Sequence, residues 1–394
     1  MAKLEDTFVF IRNGASIKQG EDDTGYPITR IETISDRVVN REKMGYAGIT
    51  DIEKYKDYVL QDGDILMSHI NSEIHLGKSA LYRKQGEEVI IHGMNLLCLR
   101  PNYELLDSAF VNYYFNSNAF IYQIPNITKK SVNQASFSVS ALKKLNIPTP
   151  SLETQRKIAA NLDKVTHTID LCNAILEKLD LLVKSRFVEM FGDTYSNPMN
   201  WNRMSFRQVS KRLSDGPFGS NLKSEHYSDS GVRVIRLGNI GIGEFIDKDK
   251  SFIQIEHYEK LKKYTCRTGD IVIGTLGEPN LRACRIPDYI DIAINKADCV
   301  HFIPNDEILN VTFACHYINC PETLALASSM VHGQTRTRIS SGQIAELPIY
   351  LPPIDLQQQF AAFVEQTDKS KLAVKQVLEK AETLKKALMQ EYFG

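Results

Sequence analysis

The chain has little of what usually announces a function. It holds one tryptophan and seven cysteines in 394 residues, with no CxxC pair and no metal-ligand spacing. A reduced, cytoplasmic protein is the expectation. No apolar run is long enough to span a bilayer and no secretory leader is recognisable, so neither membrane insertion nor export is expected. A basic excess is missing too: 47 Lys and Arg stand against 48 Asp and Glu, a net charge of −1. That argues against coating nucleic acid by bulk charge and leaves room for local basic faces.

Catalytic motifs are absent in the same way. Gly77-Lys78-Ser79 has the end of a phosphate loop, but the glycine needed five residues earlier is Ser72. Asn197-Pro198-Met199-Asn200 lacks the second proline and the aromatic of an adenine methyltransferase site. "PDYIDIAINK" (287–296) starts like a metal-dependent nuclease, yet Ile294 stands where a carboxylate is required beside Lys296. Cys98, Cys266 and Cys299 have no His or acid at a defensible spacing. Nothing supports catalysis by this chain, and no cofactor or metal site is expected in it.

What the chain does have is repetition. "IPTPSLETQ" (147–155) returns as "IYLPPIDLQ" (349–357). A slide of 202 positions over 143–192 and 345–394 gives 14 identities in 50 pairs without a gap. A slide of 206 pairs Gly25, Arg30 and Ile34 with Gly231, Arg236 and Ile240, and Gly63-Asp64-Ile65 with Gly269-Asp270-Ile271. A unit of about half the chain is written twice, which is a duplication and not a solenoid. The length also exceeds a single core.

Each copy ends in a long helix pattern after prolines, which suit a first turn but disfavour helix before it. Ser151 and Asp355 are the expected caps. In the first helix Ile158, Leu162, Val165, Ile169, Cys172, Leu176, Leu179 and Val183 recur by fours and threes, the coiled-coil period. The second carries Phe360, Val364, Val374, Leu378, Ala381, Leu388 and Tyr392, with Thr367 and Lys371 interrupting its stripe. Each run of nearly 40 residues extends roughly 55–60 Å. Packing against each other, antiparallel about a pseudo-two-fold with one globular domain at each end, is the expected arrangement. Gln155, Ile158, Leu162, Leu176, Leu179, Gln357, Phe360, Val364, Leu378 and Leu388 are the candidate site residues of these helices.

The front parts read as mixed α/β with short strands: "YPITRIETI" against "VRVIRLGNI", "GDILMSHI" against "GDIVIGTL", "NLLCLRPN" against "DCVHFIPN". A polar stretch precedes each helix segment, "TKKSVNQASFS" (128–138) and "VHGQTRTRIS" (331–340). Arg and Gln make bidentate contacts to base edges, and Lys, Ser and Thr suit phosphates. "DGPFGSNLKSEH" (215–226) reads as an exposed loop able to approach a backbone closely. Arg30 and Arg236 reach a groove or anchor a shared ion pair inside the fold. The candidate DNA contacts are Lys18, Arg30, Asn71, Lys78, Lys129, Lys130, Asn133 and Gln134 in the first half. In the second they are Ser220, Asn221, Lys223, Arg236, Asn239, Asn280, His332, Gln334, Arg336 and Arg338.

Two variable α/β halves, each followed by a "P(P/S)(L/I)xxQ" helix, resemble the specificity subunit of Type I restriction-modification systems over essentially the whole chain. The carrying residues are Pro150 to Gln155, Pro352 to Gln357, and "DGPFGSNLKSEHYSDSGVRVIRLGNI" (215–240). Ser151 stands where that family often has proline, and the first half has no leader like "NPMNW". The resemblance implies two target recognition domains of mixed α/β (α+β) fold joined by a pair of long antiparallel coiled-coil helices. They are placed at 1–148 and 205–350, with spacer helices at 149–192 and 351–394 and a linker at 193–204. It implies a non-catalytic subunit whose domains each read one half of a bipartite double-stranded DNA site. Half-sites about one helical turn, roughly 10 bp, apart would share a face of the duplex. The resemblance makes the helix residues named above the spacer and the docking surface for the implied partners, two modification subunits that methylate adenine N6 with S-adenosylmethionine. Restriction subunits using ATP and magnesium complete the implied assembly. A stand-alone bipartite DNA-binding protein and a non-DNA adaptor scaffold are the competing readings.

Overall fold

The computed structural model describes residues 1–18, 24–130, 134–331 and 338–394. They form two compact units: Met1–Asn173 with Lys375–Gly394, and Ala174–Val374. These are units 1 and 2 below.

The centre of unit 1 is an antiparallel four-stranded sheet in the order Phe8–Asn13, Leu96–Pro101, Ile65–Ser68, Ser79–Leu81. Unit 2 repeats that order with Ser210–Ser214, Cys299–Pro304, Ile271–Gly274 and Arg282–Arg285. Ile65–Ser68 and Ile271–Gly274 are buried at every position because both faces of the sheet are covered. Ile65 and Met67 join the core that also receives the long helices, while Leu66 joins a second cluster with Tyr82 and Ile90. Ile271 and Ile273 against Val272 divide the same way. Successive side chains of a strand point to opposite faces, so one strand feeds two cores. The Gly-Asp before each of these strands is a turn, as its sequence suggests. Gly63 and Gly269 adopt φ of 89° and 83°. Asp64 and Asp270 accept the backbone N–H of Gln61 and Arg267 at 2.8 Å.

The copies differ in their second sheet. Unit 2 has five strands there, with Val232–Ile235 parallel to Ile292–Asn295. In unit 1 the expected strand at "YPITRIETI" is reduced to bridges from Ile28 to Gly45 and Ile91, and then turns into a 3₁₀ segment at Ile31–Ile34. Ile28 is nonetheless fully buried. Burial at that position keeps the frame although the ladder is shorter.

The long helices are Leu152–Phe191 and Ile354–Phe393. Ser151 caps the first, its Oγ accepting Thr154 N–H at 3.2 Å. Asp355 is not the second cap: the helix starts one residue earlier, and Asp355 lies in its first turn, where the macrodipole favours an acid. Within unit 1 the start of the first helix meets the end of the second, and Asn161 Nδ2 donates to the Tyr392 hydroxyl at 3.2 Å. Within unit 2 the end of the first meets the start of the second, Phe187 and Phe191 lying 5.4 and 5.5 Å from the Phe360 ring. That pairing is antiparallel. The interruption in the second stripe is packed, not empty. Thr367 is buried with its hydroxyl donating to Phe363 O, and Lys371 pairs with Asp180 at 2.7 Å.

Each helix closes the core of the unit in which it ends. Phe393 sits 5.3 Å from Phe110 and 5.8 Å from Tyr114, and Phe191 sits 4.8 Å from Phe313. The repeated glutamines lie at the other ends. Gln155 is fully buried. Its Oε1 accepts Asp107 N–H at 2.9 Å, and its Nε2 donates to Leu105 O and Pro150 O at 2.9 Å. Gln357 makes the same three bonds with Asn310 N–H, Ile308 O and Pro352 O.

Gln155→Leu strands one backbone N–H and two carbonyls, and is expected to cost about 3 kcal/mol. Urea denaturation of the full chain measures this, and a loss under about 0.5 kcal/mol would contradict it.

Burial also disfavours the charged ring of His69 and those of two further histidines, holding His92 down to about 3 and His316 to about 4. Such a group takes a proton more readily when unfolded. Stability is therefore complete above the ordinary value of about 6.5 and falls as pH drops below it, by about 2 kcal/mol per histidine at pH 5. Urea midpoints at pH 7.5 and 5 check this. If a His92→Gln/His316→Gln double variant falls as steeply as the wild type, the assignment fails.

Candidate nucleic-acid interface

The sequence-predicted loops are brought to one place in each unit, beside the end of the central strand. In unit 1 the chain leaving Ile65–Ser68 forms the short strand Ile70–Asn71. This pairs with Ala135–Ser136, which pairs in turn with Lys129–Lys130. Phe137 N–H donates to His69 O at 3.1 Å. Unit 2 repeats the contact with other residues: Ile339 N–H donates to Thr275 O at 3.0 Å, and Leu276 bridges to Arg338. The described ends of the two polar stretches, Lys129–Lys130 with Ala135–Phe137 and Arg338–Ile339, thus lie at the same strand end twice.

A second strip borders the first. In unit 2 Thr275 donates through N–H and Oγ1 to Asp298 O, each at 3.1 Å. The Asp298 carboxylate pairs with Arg338 at 3.2 Å. Two residues before Asp298, Lys296 places its Nζ 5.8 Å from the Tyr227 ring, the distance at which the Arg236 guanidinium also sits. Gly216 opens the 215–226 loop against this strip, and a Cβ there would collide with Asn295 O and the Lys296 carbonyl. Gly14 plays the same part in unit 1, where a Cβ would strike the carbonyls of His92 and Gly93. Arg30, Glu32, Met94 and Asn95 border a cleft of about 210 Å³ beside it.

Arg30 and Arg236 begin equivalent turns, and the shared part is the turn. Arg30 N–H donates to Thr33 Oγ1 at 2.8 Å, and Arg236 N–H to Asn239 Oδ1 at 2.9 Å. Thr33 and Asn239 are fully buried. The guanidinium groups diverge. Arg30 lies over Gly45, where a Cβ would occupy its space, and Arg236 pairs with Asp249 at 2.8 Å.

Other candidates divide by exposure. Lys18, Lys129, Lys130, Gln134, Ser220, Asn221, Lys223 and Arg338 are exposed. Lys130 also pairs with Glu73 at 2.7 Å. Asn71 is half-buried and accepts Ser72 N–H, and half-buried Lys78 donates to Ser35 O at 3.2 Å. Two expectations need correction. Asn239 is fully buried and its Nδ2 donates to Ile246 O and Asp249 O, so it builds the turn and presents nothing outward. Asn280 is 2% exposed and accepts from Ser328 Oγ at 3.2 Å, so it is held inside the fold. Asn133, His332, Gln334 and Arg336 lie outside the described residues.

The docking candidates also separate. Gln155, Leu162, Gln357 and Phe360 are fully buried in their own units and Val364 nearly so. They hold the fold and cannot meet a partner. Ile158, Leu176, Leu179, Leu378 and Leu388 are half-buried. The same helices expose Leu171, Leu181, Leu182, Val188, Leu372, Val377 and Leu384.

Sequence reasoning passes over Lys296, which reads only as the tail of a failed nuclease motif, and over Gly14 and Gly216. An Asn-Gly and an Asp-Gly at matching positions are the available signal for the glycines. Among the described residues no group of three or more His, Cys, Asp or Glu side chains could hold a metal. No helix there is long and apolar enough to cross a membrane. Burial pushes the Cys98 and Cys266 thiols well up and Cys299 to about 12, so none is a ready nucleophile.

Two mixed α/β units built to one plan, each presenting a polar loop pair and closed by paired long helices, define a duplicated recognition scaffold. The family described as Type I restriction modification DNA specificity domain matches residues 1–181 and 221–383, and the chain belongs to it. The putative type I restriction enzyme MjaX specificity subunit of Methanocaldococcus jannaschii is 42% identical over 193 residues, covering 48% of this chain and 44% of that protein. The chain thus spans less than half the length of that relative. The MjaVIII specificity subunit of the same organism is 20% identical over 386 residues, 92% of this chain and 84% of that one. In fold, the chain is similar to the crystal structure of the S subunit of a Type I restriction-modification system from M. genitalium. The TM-score is 0.61 at 15% identity, over 100% of this chain and 95% of that one.

Building and contacting residues should separate on mutation. Asn239→Ala is expected to cost about 2–3 kcal/mol of stability, while Ser220→Ala and Lys223→Ala stay within about 0.5 kcal/mol. Thermal unfolding of the three variants measures this, and equal losses would refute the division.

Proposed function

We propose that the chain is the non-catalytic specificity subunit of a Type I restriction-modification complex. The reader regions 1–148 and 205–350 each take one half of an asymmetric bipartite site in double-stranded DNA. The observation that supports this is that the described residues of two different polar stretches pair with the same strand end in both units. The loop 128–138 offers Lys129, Lys130 and Gln134 at His69, and the loop 331–340 offers Arg338 at Thr275. One frame with two sets of side chains reads two different sequences.

The long helices fix the distance between half-sites, since spacing follows protein geometry. Their exposed apolar residues, such as Leu181, Leu182, Val188 and Leu372, are the surface offered to two modification subunits. Those subunits bring S-adenosylmethionine and extrude the target adenine for N6 methylation. Restriction subunits bring ATP and magnesium for cleavage. A net charge of −1 suits a subunit that shares its phosphate contacts with such partners. The complex works in the cytoplasm.

The test is co-expression with the modification subunit of the same genome, followed by mapping of adenine methylation. One asymmetric bipartite motif with a fixed spacer is the expected result. Failure to form a complex, together with unmethylated DNA, would overturn the proposal. Within it, Arg338→Ala is expected to relax one half-site only. Lys129→Ala/Lys130→Ala should weaken binding to all sequences alike and flatten the slope of log K against log salt by about 1–2. Binding titrations at several salt concentrations measure that slope, and an unchanged slope would remove both lysines from the phosphate contacts.

A further inference from the structure

Phe218 is the exposed feature that the loop's polar chemistry leaves unexplained. Its side chain is 48% exposed although the chain is anchored on both sides. Pro217 is buried, and Leu222 belongs to a core cluster with Val234, Ile253 and Ile294. Between these anchors the tip Phe218-Gly219-Ser220-Asn221 is exposed throughout.

The tip is a held turn. Asn221 donates to Phe218 O through its N–H at 3.2 Å and its Nδ2 at 3.1 Å. His257 Nε2 donates to Asn221 O at 2.8 Å, and its ring stacks on His226 with centroids 3.9 Å apart. His226 Nδ1 in turn accepts Lys223 N–H at 3.0 Å. Gly219 sits at φ +57°, and a Cβ there would meet nothing within 4 Å. The fold therefore spends hydrogen bonds on presenting an aromatic ring to water.

The surroundings say what the ring meets. Its loop neighbours are Ser220, Asn221 and Lys223, which suit phosphates. The root of the loop lies against the Lys296 backbone, beside the Arg236 and Lys296 cations. An exposed ring on a loop tip that otherwise carries phosphate-type donors differs from a protein-docking face, whose core is a contiguous apolar patch. It matches the side chains that enter between stacked base pairs while their neighbours hold the backbone.

We propose that Phe218 is a wedge that enters one base step of the DNA bound by unit 2, unstacking and kinking the duplex there. This inference rests on the proposed function. It adds that the unit 2 half-site is read partly through deformability, with a preference for the easily opened pyrimidine–purine steps.

The test uses the full chain with its modification subunits and a duplex carrying the mapped methylation motif. 2-Aminopurine is moved step by step through the half-site that Arg338→Ala relaxes. The expected result is one position, distinct from the methylated adenine, whose fluorescence rises on wild-type binding and rises several-fold less with Phe218→Ala. Phe218→Leu, still a wedge, keeps most of the rise. Affinity for the cognate duplex falls about tenfold with Phe218→Ala, while affinity for unrelated duplex is nearly unchanged. An unaltered signal with DNA binding intact overturns the wedge and leaves the specificity-subunit reading standing. Loss of the modification subunits from Phe218→Ala in the absence of DNA makes the ring a protein contact and also overturns it. Failure of the wild-type complex to bind any sequence specifically overturns both readings.

Discussion

The side-chain amides of Gln155 and Gln357 are the interactions on which the arrangement of each unit depends. Each is fully buried, and each satisfies one backbone N–H and two carbonyls where a long helix leaves its domain. An amide is the one neutral side-chain group that donates and accepts from adjacent atoms, so no apolar residue of the same size replaces it. It ties the helix start to the turn that begins Ser108–Phe115 or Val311–Ile318. The prolines before it stop the strand, and the glutamine fixes where the helix goes next. The twice-written phrase is therefore a joint.

From that joint the rest of each unit follows by burial. The helix lies on the face of the central sheet that carries Ile65 and Met67, or Ile271 and Ile273. The opposite face of the same strands packs a second layer. With both faces occupied, strand ends and loops are the part of each unit left to vary. Phe137 and Ile339 are held there by backbone hydrogen bonds to His69 and Thr275. The same main-chain bonds at the strand end carry different side chains in the two units.

Much of this was legible in the sequence. The helices, their prolines and the Gly-Asp turns were visible because each is a local signal with its own physics. The central strands were visible as paired apolar runs. What escaped depended on distant partners. Gln155 and Gln357 read as docking residues, since nothing in a single sequence shows that Leu105 and Ile308 present carbonyls to them. Asn239 looked like a reader because its burial comes from Ile246 and Asp249, seven and ten residues away. The strand expected around Ile28 shrank to bridges because a buried edge needs only a few hydrogen bonds when packing fixes it. Lys296 became visible only once Tyr227 and Gly216 were beside it.

The core of unit 1 is completed by Phe393, from a segment made only after the whole of unit 2. Unit 2 is continuous in the chain and can close as soon as it leaves the ribosome. Roughly 200 residues, at about 5–20 per second, separate the two parts of unit 1, a wait of roughly 10–40 s. Through that interval the aromatic seat at Phe110 and Tyr114 stands open on the nascent chain. The half synthesised first is the half finished last.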